Sequence, residues 1–145
     1  MYKRHKVLII ILFGVSSFLA YGFNADYYKI AEPAINVTAI AIGIYTAAIS
    51  SILGSNYAKK LALITSSESN YRTLLGVLSS YLHWAGILSL STIILSILFL
   101  SNVIQNNNFI GEIISAISYG TFIINLILFG LIYLFLISSL NKSIR

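Results

Sequence analysis

Few residues in this chain have the means to do chemistry. His83 is the ionisable side chain nearest the interior of an apolar run, tyrosines aside, and such a group in hydrocarbon is a functional candidate by default. It sits between aromatic residues, Tyr81 and Trp84. It therefore reads either as a hydrated residue at a membrane interface or as a pH-sensing or ligand contact. Ser118, Thr121 and Asn125 follow one another at spacings of three and four, which places them on one face of a helix. A primary amide such as that of Asn125 needs a partner in hydrocarbon, an interaction of roughly 0.6–2 kcal/mol between helices. This face is expected to act as interhelical glue or, alternatively, as the lining of a polar path.

Ala39, Gly43, Ala47, Ser51 and Ser55 occupy every fourth position without a break. Lipid gives no hydrophobic drive between helices, so small residues in a row are where backbones approach and dispersion holds them. The row is expected to be a packing seam against the first or third span, or an interface between subunits. A shorter counterpart, Gly76, Ser80, Ala85 and Ser89, lies further along.

These residues are carried by a chain that is 58% hydrophobic and 9% charged over 145 residues, with a mean hydropathy of +0.89. A soluble domain carries about 25% charged residues, so the composition excludes one. About 20 apolar residues cross a bilayer. Four stretches qualify, at about 7–23, 34–55, 81–100 and 113–137, and none contains Asp, Glu, Lys or Arg. The fold is expected to be all-α: a four-transmembrane-helix, up-down bundle, one domain over 1–145, with a connector at about 56–80.

Basic residues set the orientation, because Lys and Arg in short flanks stay cytoplasmic. Eight of nine fall on one side: Lys3, Arg4 and Lys6, then Lys59, Lys60 and Arg72, then Lys142 and Arg145. Both termini are expected to be cytoplasmic. Scattered in this way, the positive charge suits lipid head groups and builds no nucleic-acid patch. The start of the chain also has the form of a secretory signal, with a basic beginning, an apolar run to Ala20 and the small residues around Gly22, so cleavage of residues 1–22 is the competing reading.

In the connector, Thr65-Ser66-Ser67-Glu68 has capping-box spacing, which predicts that the third long helix begins near Ser66. A helical hairpin projecting from the membrane follows, with 58–80 lying flat on the leaflet as the alternative. Lys59, Lys60 and Arg72 would contact lipid head groups or a soluble cytoplasmic partner. Pro33 suits the first turn of the second span.

The chain has no cysteine, no His-Glu-x-x-His, no Gly-x-Ser-x-Gly and no phosphate-binding glycine loop. The expectation is a protein without enzymatic activity, cofactor or metal. Taken together, the four spans with both ends inside, the small-rich second span, and the run from Lys59-Lys60 to Arg72 and Tyr81-Leu82-His83-Trp84 resemble small four-span membrane proteins of bacterial antiphage defence operons, such as the membrane subunit of Kiwa-type systems. That resemblance implies a homo-oligomer in the bacterial inner membrane that senses or perturbs membrane integrity, often with a soluble partner. A small channel or transporter, lined from spans two and four, is the alternative.

Overall fold

The computed structural model describes residues 2–53, 56–65, 73–104 and 108–144. Five helices form within them: α1 (Lys3–Gly22), α2 (Tyr28–Leu53), the short α3 (Asn56–Leu63), α4 (Leu74–Leu100) and α5 (Phe109–Ile144). In hydrocarbon a backbone must satisfy its own polar groups, which makes long apolar runs helical. Four of the helices, α1, α2, α4 and α5, are long and apolar enough to cross a membrane. The chain is a multi-pass membrane protein of all-α fold.

Asparagine ends two of these helices at the same end of the bundle. Asn24 follows α1 with φ 48° and Asn102 follows α4 with φ 56°. After α1, the Asn24 N–H donates to Tyr21 O and the Ala25 N–H to Ala20 O; after α4, the Asn102 N–H donates to Phe99 O and the Val103 N–H to Leu98 O. Both are left-handed stops of Schellman form, in which the asparagine tolerates the positive φ and the otherwise unpaired helix carbonyls gain donors.

Two helix starts differ from expectation. α2 begins at Tyr28, so Pro33 lies inside the helix. There it removes one backbone hydrogen bond near the helix end, while the Tyr28 N–H is held by the Asp26 carboxylate at 3.2 Å. α4 begins at Leu74, capped by Thr73, whose hydroxyl accepts from the Gly76 N–H at 3.3 Å. The expected start near Ser66 and the other residues of the capping-box spacing lie outside the described residues, except Thr65. That residue instead pairs with Thr73 in an isolated antiparallel bridge. Just inside the bridge, the Leu74 N–H donates to Ile64 O at 3.0 Å. α3 thus runs back along the start of α4, with Leu61 buried against Ile52, Leu74 and Leu78.

Packing is not evenly shared. α4 lies between α2 and α5, and α1 docks along α5. The central cluster joins Ala41 and Tyr45 of α2, Val77, Tyr81 and Ala85 of α4, and Ile124, Leu128 and Ile132 of α5. α1 leaves most of its surface open, with Ile10 70% and Phe18 74% exposed. Where α1 and α5 meet, a Cβ on Gly120 would come within 2.2 Å of the Ser17 hydroxyl and 3.1 Å of the Phe13 ring, so a larger residue there would require both side chains to shift. At 36 residues, α5 is about 54 Å long and exceeds the ~30 Å hydrocarbon core by several turns.

Candidate functional site

Thr38, Ser89 and Asn125 of three different spans converge inside the bundle. Asn125 is buried on α5 and reaches two other helices. Its amide Nδ2 donates to Thr38 Oγ1 of α2 at 3.2 Å, and its Oδ1 accepts from the Ser89 hydroxyl of α4 at 2.9 Å. Three helices are thereby tied at one level. Ser118 and Thr121, on the same face, are buried as well, but each turns its hydroxyl back to its own helix, onto Ile114 O at 2.8 Å and Ile117 O at 2.9 Å. Hydroxyls bonded in this way carry no polar demand into the surroundings.

Toward the asparagine-capped end lies a second network. The Tyr27 side chain is fully buried, and its hydroxyl bonds Ser96 at 2.9 Å. Its backbone N–H donates to Ser115 Oγ at 2.9 Å, while that hydroxyl donates to Ala25 O at 2.7 Å. The Tyr119 hydroxyl donates to Asp26 O at 3.3 Å. Phe99 and Tyr119 meet the Tyr27 ring edge-on, at centroid distances of 5.3 and 5.4 Å. Burial pushes the Tyr27 phenol above its ordinary range, partly offset by the Ser96 bond. The loop between α1 and α2 is thus anchored to α4 and α5. A tyrosine in a short loop reads as water-facing; the legible signal was the spacing of Ser89, Thr92 and Ser96 on α4, all buried.

At the opposite end, His5 Nδ1 and the Tyr81 hydroxyl are hydrogen-bonded, and Tyr2 packs edge-on against both rings. A cleft of about 330 Å³ opens there, lined by Tyr2, His5, Tyr81, Phe135 and Ser138 among others. His5 belongs to the basic leading segment, whose sequence signals charge alone. His83 points elsewhere: it is exposed, T-shaped against Trp84 at 6.3 Å, and borders a separate cleft between α2 and α4 with Ile52, Ser79 and Leu82.

Scans against protein-family models, curated proteins and solved structures find no match for this chain.

The small-residue row of α2 faces away from the other helices of the chain. Ala39, Gly43 and Ala47 are exposed, and nothing lies within 4 Å of a Cβ placed on Gly43. The seam of α2 inside the chain is made instead by Ala31, Ala34, Thr38, Ala41 and Tyr45, all buried. It meets the α4 face that includes Ser80, Ala85 and Ser89. The exposed row also has polar company: Asn36, Ala39, Gly43, Thr46 and Ser50 are all exposed and recur at alternating spacings of three and four. Thr46 and Ser50 satisfy their own hydroxyls on Ile42 O and Thr46 O, both at 2.9 Å. Of Ser51 only the backbone is described, and Ser55 and Arg72 lie outside the described residues. Lys59 and Lys60 are exposed on α3, beside the start of α4. Among the described residues no three histidine or acidic side chains come close enough to hold a metal ion.

Proposed function

We propose that this protein is a non-enzymatic, homo-oligomeric membrane protein whose subunits meet through the outward face of α2. The observation that carries the reading is the exposure of Asn36, Ala39, Gly43, Thr46, Ala47 and Ser50 on a helix whose other face already serves the bundle. A lipid-facing helix ordinarily presents bulky apolar residues, as α1 does with Ile10, Ile11 and Phe18. A face of small and hydroxyl residues spaced three and four apart is the pattern by which membrane helices cross at about +20° in close contact. Such an assembly would serve as a sensor or effector of membrane integrity in the bacterial inner membrane, with both termini in the cytoplasm. The resemblance to antiphage membrane subunits supports that role, with the exposed Lys59 and Lys60 of α3 offered to a soluble partner or to lipid head groups.

A channel is the second reading, and one observation favours it: Asn36, Thr46 and Ser50 would line an axis if several copies met around this face. Ser118, Thr121 and Asn125 support it less, because all three are buried inside one chain, whereas Asn36, Thr46 and Ser50 are exposed.

Cysteine cross-linking in native membranes tests the proposal, since the chain has no cysteine of its own. Ala39→Cys, Gly43→Cys and Ala47→Cys are expected to form disulfide-linked dimers on mild oxidation, while Ile11→Cys on the open side of α1 is not. Equal cross-linking at all four positions, or none, would remove the α2 face as the interface.

A further inference from the structure

Because α1 docks on α5 and α4 packs elsewhere on the same helix, a groove remains between α1 and α4. Its volume is about 170 Å³, and its walls are Ile9 and Ile10 of α1 and Trp84 and Leu88 of α4, with Leu128 of α5 as the floor. One charged residue lines it, Lys6, on the turn of α1 before Ile9 and Ile10. From Lys6 to Ile10, and from Trp84 to Leu88, the walls descend about 6 Å, a little over one helical turn. Lys6 is half-buried, and among the described residues no carboxylate pairs with it. A lysine in this setting lays its stem along the apolar wall and holds its ammonium group at the level of the head groups.

We infer that this groove is a binding site for one anionic phospholipid, with an acyl chain lying against Ile9, Ile10, Leu88 and Leu128 and the phosphate on the Lys6 ammonium. Two features of the groove select this occupant over a protein segment. The walls open to the hydrocarbon, with Ile10 70% and Trp84 46% exposed, so lipid is the medium already in contact with the groove. The charge at its end is positive and stands where a chain crossing the membrane leaves the apolar layer, which a zwitterionic head group matches less well than an anionic one.

Trp84 is the single tryptophan of the chain and forms one wall, so its fluorescence reports on the site directly. The full-length protein is placed in phosphatidylcholine vesicles containing either brominated phosphatidylglycerol or brominated phosphatidylcholine, and quenching is followed against mole fraction. One lysine near a bilayer surface contributes ~1 kcal/mol toward an anionic lipid, which is about a fivefold preference in association constant. The wild type is expected to show that preference, Lys6→Gln to lose it, and Arg4→Gln, two residues away on another face of α1, to keep it. Free glycerol phosphate at millimolar concentration should leave it intact, because the acyl chain supplies part of the contact. The inference is overturned if the wild type shows no preference, if Lys6→Gln and Arg4→Gln reduce it alike and so report only diffuse surface charge, or if glycerol phosphate abolishes it. Weak quenching by both brominated lipids would also overturn it, showing Trp84 shielded by another chain.

Discussion

Replacing Asn125 by leucine keeps the branched shape of the side chain, at the cost of some added bulk, and removes two hydrogen bonds that join three helices, the donation to Thr38 Oγ1 and the acceptance from Ser89. Interhelical side-chain bonds in membranes average about 0.6 kcal/mol and reach about 1.7, so the pair sets a range of ~1–3 kcal/mol. The lower end is expected, because the freed hydroxyls can turn back to their own helices in the way Thr92 already does onto Leu88 O. Steric trapping in bicelles measures the loss, and a double-mutant cycle with Ser89→Ala isolates the contact, with a coupling of about 0.6 kcal/mol. Thr121→Val, which removes a hydroxyl bonded only to its own helix, should cost less than Asn125→Leu. An Asn125→Leu protein as stable as the wild type, with no coupling to Ser89, would refute the reasoning that this amide ties α2, α4 and α5 together.

Two further substitutions probe the packing. Gly120→Ala forces a methyl group onto Ser17 and Phe13, and overpacking of this kind costs ~1–3 kcal/mol; loosened docking of α1 should appear as faster proteolysis of the loop between α1 and α2, and unchanged proteolysis would contradict it. Tyr45→Phe removes a buried hydroxyl that lacks a partner among the described residues, so it is expected to stabilise the bundle by about 1 kcal/mol in the same unfolding assay, and a loss of stability would show that the hydroxyl is bonded.

The four membrane crossings were legible because each is a long apolar run free of charge, whereas the left-handed stops at Asn24 and Asn102 show only in the backbone of the structure. Helix starts were harder to place. Thr65 and Thr73 are both plausible caps, and only Thr73 carries the one seen at α4, while Pro33 drew the expected start of α2 several residues late. The role of Asn125 could be read in kind, since an amide in hydrocarbon seeks partners, but its partners on α2 and α4 depend on which helices adjoin α5. The face of α2 was the least readable feature. That helix carries two small-residue faces, one through Ala34, Thr38 and Ala41 and one through Ala39, Gly43 and Ala47, and in lipid neither composition nor periodicity says which turns inward. His5 passed as one more flanking residue because its partner, Tyr81, lies 76 positions away.

In the proposed assembly, α2 joins one subunit to another. Native mass spectrometry of the protein released from nanodiscs measures this most directly. Masses at multiples of 16.0 kDa are expected for the wild type, with a shift toward the 16.0 kDa monomer for Gly43→Leu, whose side chain would hold the exposed faces apart. A wild-type protein that is monomeric at every lipid-to-protein ratio, or an oligomer that Gly43→Leu leaves unchanged, would contradict it.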